Sequence, residues 1–196
     1  MSDIFGGHFH YKLVGHDVNR GIAAAIMTGA RAADSEIICS MDCDGTYDAC
    51  QLETLIPMLN GADVAMVTGS PYRPDGNVLN VPLWRLALSR LASSLYRAAV
   101  SRELHTYTSC FRVYRRSILL KLPIRREGFV GISEVIWQLN RRGYQIRECP
   151  SNLDTRRYGQ SKMRTAQVAL GHLNLLRQVT LDRIGRRLAK MILSAS

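Results

Sequence analysis

Glu36-Ile-Ile-Cys-Ser-Met-Asp-Cys-Asp-Gly45 is the stretch on which the fold turns. Its residues through Met41 form a short apolar run of strand length, read as a buried strand. That run leads directly into two carboxylates, Asp42 and Asp44, and a glycine turn. Working outward, Asn19 to Ala33 carries Ile22, Ala23, Ile26 and Ala30 at helical spacing, with Asn19 placed as a cap. On the other side, Asp48 to Asn60 sets Leu52, Leu55, Ile56 and Leu59 on one helical face and stops at Gly61. Ala62 to Thr68 then reads as a second strand.

Farther along, a loop rich in Pro and Gly covers Gly69 to Gly76, and Pro82 opens a helix that runs to about Val100. Thr106 to Val113 reads as a strand, Ile132 to Arg142 as a helix closed by Gly143, and Tyr144 to Cys149 as a strand. Strands alternating with helices imply an α/β fold with a mainly parallel sheet covered on both faces. No Pro- or Ser-rich linker divides the chain. The expected organisation is one domain over residues 1–160 and a basic helical extension over 161–196.

The bulk properties fit a globular chain: 196 residues, 46% of them apolar. No apolar run approaches the roughly 18 residues that span a bilayer, and the first residues lack the pattern of a secretory signal. Five cysteines without a Cys-x-x-Cys pair read as free thiols in a reducing compartment. The net charge of +10 is unevenly placed, because residues from Arg156 onward hold nine Lys or Arg and a single acid, Asp182. A basic tail on a nearly neutral body points to an anionic surface or a phosphorylated ligand.

Two carboxylates at a strand end can hold a hard divalent ion that keeps positions open for phosphate oxygens. A solvated turn would carry the same residues, so the neighbouring motifs decide. They are Asn19-Arg-Gly21, Asp42-Cys-Asp-Gly45, Gly69-Ser-Pro-Tyr72, Thr108-Ser-Cys-Phe-Arg112, Gly128-Phe129 with Glu134, and Arg156-Arg-Tyr-Gly-Gln-Ser-Lys162. In this order they resemble the family 2 glycosyltransferases of the GT-A fold, and among them the dolichol- or polyprenyl-phosphate mannosyltransferases. The resemblance implies a GT-A, Rossmann-like nucleotide-sugar transferase.

Residue by residue, the resemblance implies that Asp42 lies near the nucleotide and that Asp44 is the main ligand of a Mg2+ or Mn2+ ion. Arg156 and Lys162 match cations near the donor phosphates. Arg112, Arg115 and Ser109 fall in or beside a segment near the acceptor phosphate, and Glu134 matches an acid close to the acceptor. A hydroxyl acceptor would need such a base, whereas an ionised lipid phosphate would not. The implied partners are a UDP- or GDP-linked sugar and a lipid-phosphate acceptor.

The sequence departs from the pattern at Thr106, where relatives often carry Asp, and at Cys110 and Pro71, which replace Gly and Arg. The two strand motifs with which relatives usually begin are not found, so an N-terminally truncated fold is expected. A second copy or a partner chain could then complete the sheet, and a non-catalytic module is the alternative reading.

The tail from Arg164 to Ile192 interleaves Leu173, Leu176, Ile184, Leu188 and Ile192 with Arg177, Arg183, Arg186, Arg187 and Lys190. It reads as amphipathic helix at an anionic membrane surface, or as a helix docked on its own domain. Nucleic acid is not expected, since aromatic interleaving is lacking. The expected location is the cytoplasm, peripheral on the inner membrane face.

Overall fold

A computed structural model describes residues 11–159 and 165–195. The first helix, α1 (Ile22–Ala32), leads to strand β1 (Ile37–Ser40). The helix expected over 48–60 is broken into a 3-10 turn, the single α-turn α2 (Leu52–Leu55) and a second 3-10 turn at Pro57–Leu59. Pro57 lacks the N–H that would continue the ladder. Strands β2 (Val64–Ser70) and β3 (Asn77–Val78) follow, then helix α3 (Leu83–Ala99) behind its Pro82 cap.

Only the end of the segment expected as the Thr106–Val113 strand pairs. Strand β4 is Arg112–Arg115, and it runs straight into the short helix α4 (Arg116–Leu119). Helix α5 begins earlier than its pattern suggests, at Phe129, and ends at Arg141. Strands β5 (Gln145–Pro150) and β6 (Asn152–Leu153) precede α6, one continuous helix over Thr165–Ala195.

The main sheet has the order β1-β4-β2-β5. Strand β4 is antiparallel to both β1 and β2, and β2 is parallel to β5. Three of the four strands therefore point the same way, with β4 inserted against them. A separate β3-β6 ribbon is parallel.

All seven residues of β2 are buried, as expected for a central strand covered on both faces. A register shift between Val64 and Met66 lets Val64 and Val67 face the same cluster although they are three residues apart. That cluster joins Leu55, Leu59 and Val113 with Phe111. The larger core lies on the other face, where Met27 of α1, Ile136 and Leu139 of α5, and Leu175 and Val179 of α6 pack on Met66 and Tyr114. Strand β1 is half-exposed rather than buried, because among the described residues it pairs only through β4.

Close helix packing requires two small residues. A Cβ on Gly131 would lie 2.1 Å from the Arg126 carbonyl and 2.6 Å from Ala23 Cβ, and one on Gly171 would lie 2.7 Å from Val130. Gly131 thus sets how near α5 approaches α1, and Gly171 how near α6 approaches α5. Gly131→Ala is expected to destabilise the chain by about 2 kcal/mol or more through overpacking, read as a lowered urea midpoint.

Candidate functional site

Strand β1 ends at Ser40, and the chain turns through Asp42 to Gly45 at the carboxyl end of the three like-directed strands. Gly45 has φ +79, and a Cβ there would meet the Arg157 side chain at 3.2 Å. Glycine is therefore required both by the turn and by the neighbouring segment.

Asp44 is 7% exposed. Its Oδ1 accepts from the Thr46 backbone N–H at 3.0 Å and from the Thr46 hydroxyl at 2.7 Å. Its Oδ2 pairs with Arg156 Nη2 at 2.9 Å. The Asp44 carbonyl accepts from the backbone N–H of Arg157 and of Tyr158, at 2.9 and 3.1 Å. Residues more than a hundred positions apart are thus tied at one aspartate. The link is extended by the Asp154 N–H, which donates to the Thr46 carbonyl at 2.9 Å.

Asp42 is half-buried, and among the described residues no hydrogen bond reaches its carboxylate. Burial pushes its pKa up, Asp44 pushes it further, and Arg156 partly offsets both. A buried carboxylate beside a second one favours a cation between them. The donor set fits a hard divalent ion such as Mg2+ or Mn2+. No cluster of three acidic, His or Cys ligands occurs among the described residues, so two carboxylates would leave most positions to phosphate and water oxygens.

The floor of the site is aromatic. Tyr47 stacks on Phe111 with centroids 4.7 Å apart, and the Ser109 hydroxyl donates to the Tyr47 hydroxyl at 3.3 Å while accepting from Phe111 N–H at 3.2 Å. Burial, with a contribution from Asp42, pushes the Cys110 thiol up to about 12, which keeps it neutral. Thr106, the departure noted in the sequence, exchanges a 2.7 Å hydrogen bond with Ser70. Tyr47 and Thr46 were not anticipated. Their roles come from contacts across the chain, for which the sequence carries no spacing signal.

Three residues expected at the site are engaged within the protein. Arg112 is 0% exposed and donates from Nη1 to the Ile132 carbonyl at 2.7 Å and from Nη2 to the Tyr107 carbonyl at 3.0 Å. Its guanidinium faces into the protein, with both Nη atoms on backbone carbonyls and Nε buried without a partner. Arg115 pairs with Ile37 at the start of β1, the opposite end of the sheet from Asp42. There it clamps the carbonyls of Val64, Leu59 and Gly61. Glu134, 1% exposed, lies beyond the first turn of α5. It accepts from the N–H groups of Arg125 and Arg126 at 3.1 and 2.9 Å, and from Arg126 Nη1 at 3.1 Å. Both of its oxygens are engaged by donors within the protein. Lys162 lies outside the described residues.

Glu134→Gln is expected to cost about 2–3 kcal/mol of stability, because Arg126 would keep a partly buried charge without its carboxylate. Chemical denaturation checks this.

The chain is similar to polyprenol monophosphomannose synthase of Mycolicibacterium smegmatis, 31% identical over 150 residues that cover 73% of this chain and 56% of that protein. It is also similar to undecaprenyl-phosphate mannosyltransferase of Micrococcus luteus, 28% identical, covering 80% of this chain and 66% of that one. The chain therefore spans between about half and two thirds of the curated relatives it matches. Its fold is similar to that of glucosyl-3-phosphoglycerate synthase from Mycobacterium tuberculosis, solved with Mn2+, UDP-glucose and glycerol 3-phosphate. That likeness has a TM-score of 0.52 and 17% identity, covering 84% of this chain and 55% of that one. Residues 2–122 match the Glycosyl transferase family 2 pattern, and together with the α/β architecture this places the chain in that family, with a GT-A fold.

Proposed function

We propose that the chain takes part in moving a sugar from a UDP- or GDP-linked donor to a polyprenyl-phosphate or other lipid-phosphate acceptor. The observation that carries this reading is the pairing of Asp44 with Arg156 beside the hydrogen-bond-free Asp42 carboxylate. Two carboxylates and a part-exposed guanidinium suit a nucleotide diphosphate at a strand end.

Asp42 and Asp44 would hold a Mg2+ or Mn2+ ion, and such an ion supplies neutralisation of charge on a departing diphosphate. Support for a metal comes from the donor set and from the Mn2+ and UDP-glucose named for the glucosyl-3-phosphoglycerate synthase of similar fold. Arg156, whose side chain is 32% exposed, would exchange Asp44 for phosphate oxygens. Tyr47 stacked on Phe111 would form the floor of the site, with Ser109 bonded to Tyr47 there.

The acceptor class follows from a chemical constraint together with the names of the relatives. A hydroxyl acceptor needs a base, and Glu134 is fully engaged elsewhere. An acceptor that arrives already ionised, as a lipid phosphate does, needs none. Residues 161–196 would form the basic extension that keeps the protein near such an acceptor, as a peripheral protein on the inner membrane face. One observation also favours completion of the sheet by a second copy or a partner chain: the outer edge of β1 is unpaired among the described residues.

Calorimetric titration of UDP, GDP and their sugars, with and without Mn2+, tests the donor site. The expected result is metal-dependent binding that Asp44→Ala abolishes and that Arg156→Met weakens about tenfold or more, the worth of a charge-assisted hydrogen bond. A folded chain that binds none of these nucleotides would refute the reading.

A further inference from the structure

Asp44 has a single oxygen left for a ligand. Its Oδ1 takes two donors from Thr46, the backbone N–H at 3.0 Å and the hydroxyl at 2.7 Å. An ionised carboxylate oxygen offers about two lone-pair directions, so Oδ1 is filled from within its own turn. The other oxygen, Oδ2, carries Arg156 Nη2 at 2.9 Å. Arg156 therefore stands at the one position from which Asp44 could grip another cation.

The segment that carries Arg156 is held in place without this guanidinium. The backbone N–H groups of Arg157 and Tyr158 donate to the Asp44 carbonyl, and the Asp154 N–H donates to the Thr46 carbonyl. Asp154 also accepts from Asn80 Nδ2 at 3.3 Å and from Arg157 Nη2 at 3.1 Å. The Arg156 side chain is 32% exposed. It can leave the carboxylate while the backbone beneath it stays where it is. At Gly159 the chain turns with φ +73, and even a Cβ there would lie 4.0 Å from Arg156 Nη1, in contact without blocking it.

Charge explains why the guanidinium rests there. Asp42 lies beside Asp44, and Arg156 partly offsets the effect of that second carboxylate upon it. Without Arg156 the turn would hold two like charges with no partner. A divalent cation arriving alone must break the Asp44–Arg156 pair and then tolerate a guanidinium nearby. A diphosphate arriving with it changes both effects, because its oxygens accept the guanidinium that Asp44 releases.

We propose that Arg156 is a built-in counter-ion, which occupies the cation position of Asp44 and yields it when a diphosphate takes the guanidinium. Metal and nucleotide then bind as a coupled pair. Thr46 is the positioning residue of this exchange: by filling Oδ1 it leaves Asp44 no second oxygen with which to hold both cations. The exchange deepens the nucleotide-sugar reading and rests on it for the identity of the anion. Loss of Arg156 acts in opposite directions, weakening the nucleotide and strengthening the metal alone.

The test adds MnCl2 to the full chain without nucleotide and follows free Mn2+ by electron paramagnetic resonance. Arg156→Met is expected to bind Mn2+ about threefold or more tighter than the unaltered chain, the worth of a partly exposed ion pair. Arg156→Gln should gain in the same direction. Arg157→Met is the control for charge alone, since Arg157 is the next residue but is 64% exposed and pairs with Asp154. Its Mn2+ affinity should stay that of the unaltered chain. With UDP present, the factor by which UDP raises Mn2+ affinity should shrink in Arg156→Met by the amount gained without UDP. Far-UV spectra establish that each variant is folded. Unchanged or weaker Mn2+ binding by both Arg156 variants would overturn the proposal, and so would an equal gain in Arg157→Met. If the unaltered chain still binds UDP in a Mn2+-dependent way, either result removes the counter-ion and leaves the donor site standing. Failure of every folded chain to bind Mn2+, with or without UDP, removes both.

Discussion

The carboxylate and the carbonyl of Asp44 hold the site together. The side chain gathers Thr46 and Arg156, and the carbonyl takes the N–H groups of Arg157 and Tyr158. Strand β1 delivers the aspartate, and the segment after β6 is laid over it. Each partner would lose its place without the other, because an exposed arginine loop has little apolar area with which to dock itself. One residue therefore sets the position of the acidic turn and of the cation opposite it, at the carboxyl ends of the strands where α/β folds collect ligands.

Much of the basic character of this chain is used internally. Arg112 holds two buried carbonyls, Arg115 holds three at the far end of the sheet, and Arg116 and Arg183 donate to carbonyls at the ends of α1 and α3. Helix C-termini leave carbonyls without partners and carry negative partial charge, so arginine suits them. Glu148 performs the converse service, accepting from the N–H groups of His105 and Thr106 at 2.8 and 2.7 Å. This internal use separates structural arginines from those left for ligands. Glu134 is held in a similar way, its carboxylate taking donors from Arg125 and Arg126.

The helices α3 and α6 show the opposite tendency. Their leucines are placed where water would reach them, and exposed apolar stripes of this size mark interaction surfaces rather than ordinary protein exterior. The protein keeps α6 in place by packing Leu175 and Val179 and by the polar bridges from Tyr96 and from Arg126 to Gln178. The outward stripes are thus held in fixed neighbouring positions, although nothing within the described chain covers them.

By itself the sequence determined the alternation of strands and helices, the family and the acidic turn, because those depend on local periodicity and on residue order. Ile37 to Ser40 running into Asp42 and Asp44 was legible for that reason, as was the Pro82 start of α3. Only the tertiary structure decided that β4 enters the sheet antiparallel, that Asp48 to Asn60 is not one helix, and that Asp44 meets Arg156. It alone separated the buried Arg112 and Glu134 from the half-exposed Arg156. The physical reason is that burial and pairing of a charged side chain depend on which distant backbone carbonyls and N–H groups come within about 3 Å of it. Periodicity within a segment carries no information about that distance.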